Sequence, residues 1–224
     1  MPMEREQQDV DRKAAIERFQ VDARSCVRCH ERGLLHQHED GRTAYPLFHP
    51  GSACASGVVV VAEAPNTDDT YSPDKGYLTV SPDTDPSGAF LCGLLAHIGL
   101  EPRDALFTNA GLRLPAGDAK KGYKVKAPIR NECSPWLRRL ILDTDTAVVV
   151  TLGNVALDAL KQIERHELSL KESAGRLVPW FGRQLLPLYH PGLKARINRS
   201  EELQTKDIEA LVPYLEDVGW EASR

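Results

Sequence analysis

Three polar residues stand where apolar runs stop: Glu63 after "VVVVA", Asn109 after "ALFT" and His190 after "LLPLY". Together they form a coherent chemical set. The Asn109 carboxamide carries a donor beside an acceptor and suits the edge of a planar ligand bearing an N–H next to a C=O. Glu63 suits the orientation of a water or the stabilisation of a cationic transition state. His190 suits donation of a hydrogen bond to charge that builds on a leaving group. Taken singly, each has a plainer role: a turn or cap for Asn109, a helix N-terminal charge for Glu63, a turn residue before Pro191 for His190. Their joint occurrence at successive strand ends points to a site.

A second chemistry-bearing stretch is "SCVRCH", Ser25 to His30. C-x-x-C followed by His fits covalent haem attachment, a zinc half-site, an iron–sulfur half-site, or thiols that hold nothing. The N-terminal "MPMEREQQDVDRK" has mixed charge and no apolar stretch, unlike a signal peptide. The expected compartment is therefore the reducing cytoplasm, where the five cysteines serve as thiols or metal ligands rather than disulfides. Haem attachment, which requires export, falls away.

The elements that must position these residues follow from periodicity. Residues 4–24 carry Val10, Ala14, Ile16, Phe19 and Val21 in a helical rhythm. Residues 26–54 show no clear period and read as a loop or a small metal-stapled region. Val58–Val61 is an unbroken β-branched run, the mark of a strand buried on both faces. A loop over 66–85 follows. Further helices are expected from about Pro86, over Arg130–Leu142, over "NVALDALKQI" and over Glu201–Leu215. Strands are expected at "DALFTNA", "AVVVTLG" and "RQLLPLYHP". Alternating strands and helices imply an α/β fold, a three-layer α/β/α arrangement around a mostly parallel central sheet. Ligands of such sheets bind at the carboxyl ends of the strands, so Glu63, Asn109 and His190 should face one crevice. The expected organisation is a helical extension over 1–25 and a single domain over 26–218, with 26–56 as a candidate metal-binding region.

The chain has 224 residues and a net charge of −4, which excludes a strongly basic nucleic-acid binder but not local basic surfaces. One cluster joins Lys120, Lys121, Lys124, Lys126, Arg130, Arg138 and Arg139, and another Lys194, Arg196 and Arg199. Each alone reads as solvated surface. The longest apolar run, Val58 to Ala62, is far too short to span a bilayer, so no membrane partner is expected.

Four stretches in order, "VVVVAEAP", "GLEPRDALFTNA", "AVVVTLGNVAL" and "PLYHPG", resemble the uracil-DNA glycosylase superfamily, within it the iron–sulfur (family 4-like) branch. They match a GEAPG-like first motif, a "TN" strand end, a "V-x-LG-x-x-A" turn and an HPS-like second motif. The resemblance spans about Cys26 to Pro213. It implies a monomeric enzyme of base excision repair that flips uracil or another deaminated base out of DNA and hydrolyses its N-glycosidic bond. Asn109 would read the base edge, with the backbone at Ala64 close to the base. Glu63 would position water and His190 would stabilise the departing base. Tyr77 would stack on the base, with Tyr71 as its rival. Leu193 would wedge the duplex, and Lys194, Arg196 and Arg199 would contact phosphates.

The pattern departs from the family at Ala62, Asn66 and Gly192, which opens base preference to deaminated purines. It also keeps a second reading in view, a non-catalytic binder of damaged DNA or nucleotides. The branch holds a 4Fe-4S cluster on four cysteines. Cys26, Cys29 and Cys133 match three of them, and the remaining position falls at about Arg113. Three readings follow. Another residue fills the gap, Cys54 or one of His30, His36, His38 and His49; zinc replaces the cluster; or no metal is held.

Overall fold

The structure, a computed structural model, describes residues 2–37, 43–44, 46, 54–65, 71–72, 77–78, 85–117 and 123–220. The chain opens with helix α1 (Pro2–Arg24) and the short α2 (Arg28–Glu31). Strand β1 (Val58–Ala62) follows, then a ribbon of β2 (Tyr71–Ser72) and β3 (Tyr77–Leu78), then α3 (Pro86–His97). Next come β4 (Leu106–Asn109), α4 (Ala127–Asp143), β5 (Val148–Leu152), α5 (Asn154–Leu160) and α6 (Leu170–Ser173). The last elements are β6 (Val178–Trp180), β7 (Arg183–Leu188), α7 (Leu193–Arg196), α8 (Glu201–Ile208) and α9 (Val212–Asp217).

Among the described residues one five-stranded sheet runs β4-β1-β5-β7-β6, parallel except for the edge strand β6. The unbroken valines of β1 are explained by two cores. Val59 and Val61 face one with Phe19, Leu137 and Leu157, whereas Val58 and Val60 face the other with Leu91, Leu95 and Ile208. Helices α1, α4 and α5 thus cover one face, and α3, α8 and α9 the other. This is the three-layer α/β/α arrangement expected from the sequence.

Local rules set most boundaries. Asp85 caps α3 by accepting from Ser87 N–H (3.2 Å) and Gly88 N–H (2.7 Å), with Pro86 at the first helical position. The buried stripe of α1 is Ala15, Ile16, Phe19 and Ala23, at steps of three to four, while Val10 and Val21 are exposed. The single helix expected over 201–215 is instead α8, a 3₁₀ turn at Glu209–Leu211 and α9. Pro213 accounts for the restart: proline suits a first helical turn and breaks an interior one.

Strand β6 was not expected. It turns into β7 through Phe181 (φ 50°) and Gly182 (φ 68°), the paired positive φ values of a type I′ hairpin turn. The register levels the strand ends that matter. Ala62 pairs with Asn109, and Leu152 with Leu188. No helix of the described residues is long and apolar enough to cross a membrane.

Candidate active site

Glu63 lies one residue past β1, Asn109 ends β4 and His190 lies two residues past β7. The three line one crevice of about 420 Å³ at the carboxyl ends of the strands, with Ala64, Asp85 and Tyr123. The ladder continues beyond the strands to hold them: Ala110 N–H donates to Ala62 O (2.8 Å) and Gly111 N–H to Glu63 O (2.9 Å). The Glu63 carboxylate is held in turn, its Oε1 accepting from Val125 N–H (3.0 Å). Gly111 makes that contact possible, since a Cβ there would stand 2.9 Å from a Val125 methyl.

Asn109 is buried, and its Nδ2 has no hydrogen-bond partner among the described residues. A buried amide donor left unpaired is costly. This donor lies in the crevice wall. His190 is oriented by backbone. Gly192 N–H donates to its Nδ1 (2.9 Å), so Nδ1 is an acceptor and the proton of the neutral ring is on Nε2. His190 is exposed as a residue, yet desolvation of its ring by the surrounding protein holds its pKa below the ordinary histidine value, against the pull of the Glu63 and Asp85 carboxylates. The site thus keeps a neutral imidazole with one N–H to give. Gly153 supplies the positive φ (+90°) that the β5–α5 turn beside His190 requires.

A family model, the Uracil DNA glycosylase superfamily, matches residues 48–216. The chain belongs to the uracil DNA glycosylase superfamily. A comparison with curated proteins returns no match. The four stretches that carry the resemblance meet at the strand ends that build the crevice. Gly192, which stands where the second motif has serine, supplies its backbone N–H to His190. A side chain there would crowd the ring, a Cβ meeting Nδ1 at 2.9 Å.

Two crevice residues were missed in the sequence. Asp85, expected as the last residue of a loop, caps α3 and also faces His190 closely enough to influence its charge. Tyr123 sits in a basic loop and reaches the crevice wall, its ring edge-on to His36 with centroids 5.4 Å apart. The side chains of Tyr77 and Tyr71 and all of Asn66 lie outside the described residues.

The expected nucleic-acid surface divides in two. Leu193 is 66% exposed, and Ile197, one turn on and unsuspected in the sequence, is 86% exposed. Lys194 is exposed beside them. Arg196 and Arg199, expected to contact phosphate, are instead turned inward. Arg196 donates to Pro191 O (2.8 Å), Pro86 O (3.0 Å) and Glu201 (2.6 Å), and its guanidinium lies 4.2 Å from the centroid of the Phe90 ring. Arg199 forms a two-pronged pair with the buried Asp207. The other cluster splits likewise. Lys124 and Lys126 are exposed on either side of Val125. Arg130 binds Val125 O, Arg138 lies over Phe181, and Arg139 pairs with Asp22 and Asp143. Lys120 and Lys121 lie outside the described residues.

Cys26, Cys29 and Cys133 come together in a separate cavity of about 20 Å³, lined also by Arg113, Glu132 and Trp136. A hydrogen bond between the Cys29 and Cys133 thiols pulls Cys29 down and pushes Cys133 up in pKa. These residues do not fit a 4Fe-4S cluster. Such a cluster takes four thiolates, whereas here a guanidinium holds the fourth corner and the space suits a single water. Among the described residues no group of three or more His, Cys, Asp or Glu is disposed to hold a metal ion. Cys54 does not supply the missing ligand. It is fully buried, its thiol donates to Val58 O (3.3 Å) at the entry to β1, and burial pushes its pKa up to about 12. His30 and His36 do not line the cavity, and His38 and His49 lie outside the described residues. Cys92 is half-buried on α3.

Proposed function

We propose that this chain is a DNA glycosylase that hydrolyses the N-glycosidic bond of uracil or another deaminated base flipped out of DNA. The observation that carries the reading is the unpartnered Nδ2 of buried Asn109 in a crevice shared with Glu63 and His190. The flipped base completes the bonding of Asn109, whose donor and acceptor meet a carbonyl and an adjacent N–H on the base edge. As the glycosidic bond breaks, negative charge builds on the base and positive charge on the sugar. The Nε2–H of neutral His190 donates to the base oxygen, and no proton need leave the ring. The carboxylate of Glu63, held at Oε1 by Val125, orients the attacking water and stabilises the cationic sugar.

Leu193 and Ile197 press on the duplex beside the vacated position, and Lys194, Lys124 and Lys126 meet phosphates. Arg196 and Arg199 brace α7 rather than touch DNA. At about 420 Å³ the crevice does not select a pyrimidine by exclusion, so purines belong in the assay.

The test incubates pure protein with oligonucleotides holding uracil, hypoxanthine or xanthine, then breaks abasic sites with alkali. Cleavage at one or more of these bases is expected, and it should be lost in Asn109→Ala. Intact strands in every case overturn the reading. Salt-sensitive binding of the same oligonucleotides without any abasic product would support a non-catalytic binder instead.

A further inference from the structure

Arg113 stands where the resemblance calls for a thiolate, and its surroundings are built for a cation. Its guanidinium donates to Cys26 O (2.6 Å), Arg24 O (3.1 Å) and Ala44 O (3.4 Å). Arg24 is the last residue of α1. The final carbonyls of a helix lack intrahelical partners, and that end carries the negative pole of the macrodipole. Cys26 O belongs to the C-x-x-C turn, and Ala44 is fully buried. Nearby, the chain after that turn is laced to the β4–α4 connection. His36 N–H donates to Leu114 O (3.0 Å) and Ala116 N–H to Leu34 O (2.8 Å). Glu132 on α4 accepts from Arg32 (3.0 Å) and Arg28 (3.4 Å), tying α2 down from the other side.

We infer that Arg113 fills the structural role of a metal at this corner: its guanidinium is the cation that joins the end of α1, the C-x-x-C turn and the Ala44 segment to the β4–α4 connection. The geometry explains the residue type. Three carbonyls from two segments, the turn at the end of α1 and Ala44, converge on one planar group, and a fork with several fixed N–H directions reaches all of them. Each contact is charge-assisted and stronger than a neutral hydrogen bond. The thiols beside it are then packing groups. Cys29 and Cys133 are buried and share their cavity wall with Leu35, Ile129 and Trp136. This inference does not depend on the glycosylase reading, since it concerns what holds the N-terminal region to the sheet.

The experiment measures metal content and melting of the full chain. Protein is produced with iron and cysteine supplied and purified without oxygen. The expected result is colourless protein with iron, sulfide and zinc well below one per chain. About four irons with sulfide, or one zinc, per chain would overturn the inference. Arg113→Ala should lower the melting temperature by roughly 5–10 °C, since three carbonyls, that of buried Ala44 among them, lose a charged donor. Arg113→Lys, which keeps the charge but not the fork, should fall between it and wild type. It carries the measurement if the alanine variant does not fold. Unchanged melting in both variants would overturn the role given to Arg113. Cys26→Ser should shift melting by no more than about 2 °C. Loss of folding in that variant would point back to a metal ligand.

Discussion

The crevice and the thiol cavity share one connection, the chain between β4 and α4, and they treat polar atoms in opposite ways. On the crevice side, among the described residues, Asn109 Nδ2 has no partner, His190 Nδ1 accepts from Gly192 N–H and Glu63 Oε1 accepts from Val125 N–H. On the cavity side Arg113 meets three carbonyls, and Cys26, Cys29 and Cys133 line the space beside it. Incomplete bonding raises the free energy of the empty crevice and is relieved by a ligand. Complete bonding makes the cavity a fastener. Two sites with ionisable groups and enclosed space therefore differ in whether anything remains to be bonded.

The largest effects should come from the crevice. Glu63→Gln, Asn109→Ala and His190→Ala should each reduce the single-turnover excision rate by about 10²–10⁴-fold. Melting should change little, because these groups lie at strand ends rather than in the cores. A loss matched by an equal loss in DNA affinity would erase the contrast with the cavity. Next comes Gly192→Ser, which restores the superfamily's motif but places a Cβ against His190 Nδ1. A rate loss of roughly tenfold is expected, from the displaced ring. An unchanged or faster rate would show that the ring has room to move.

The pH profile sharpens the same point. Protonating His190 charges a group that burial disfavours and breaks the Gly192 hydrogen bond. The folded pKa is lowered, so the neutral ring persists as pH falls past the ordinary value of about 6.5. The excision rate should hold through that value and drop only below it, and any stability tied to this ring is lost in the same direction. A drop centred at or above about pH 6.5 would overturn the lowered pKa. Last and smallest is the surface. Lys194→Ala should reduce the slope of log affinity against log salt by about 0.9. Arg196→Ala and Arg199→Ala should leave that slope alone and lower the melting temperature by several degrees. A slope change in the arginine variants would return them to the DNA surface.

Much of this was legible because it rests on local pattern. The valine runs of β1 and β5 announce strands buried on both faces, and their polar ends announce the crevice. Legibility failed where a residue's role depends on distant chain. Arg196 and Arg199 look like phosphate contacts until Phe90, Pro86 and Asp207 are seen to surround them. Tyr123 enters the crevice only through the fold of the β4–α4 connection. Strand β6 escaped notice because its turn places phenylalanine at a positive φ, where the usual signal is Asn or Gly. That ring is compensated by Arg138 and Arg183 lying over it, 5.4 and 5.7 Å from its centroid. Arg113 is the clearest case. As a letter it marks a missing cysteine; only the converging carbonyls reveal what it does.

Helix α1 has a consequence for how the chain is made. Phe19 packs edge-on to Trp136 with centroids 6.2 Å apart, and Asp22 pairs with Arg139, 117 residues downstream. During synthesis at roughly 5–20 residues per second, α1 leaves the ribosome well before α4 exists to receive it. Its apolar stripe is left waiting for seconds, the interval in which a chaperone or a second nascent chain competes for it. Helix α1 thus docks only once α4, which begins at Ala127, has been made.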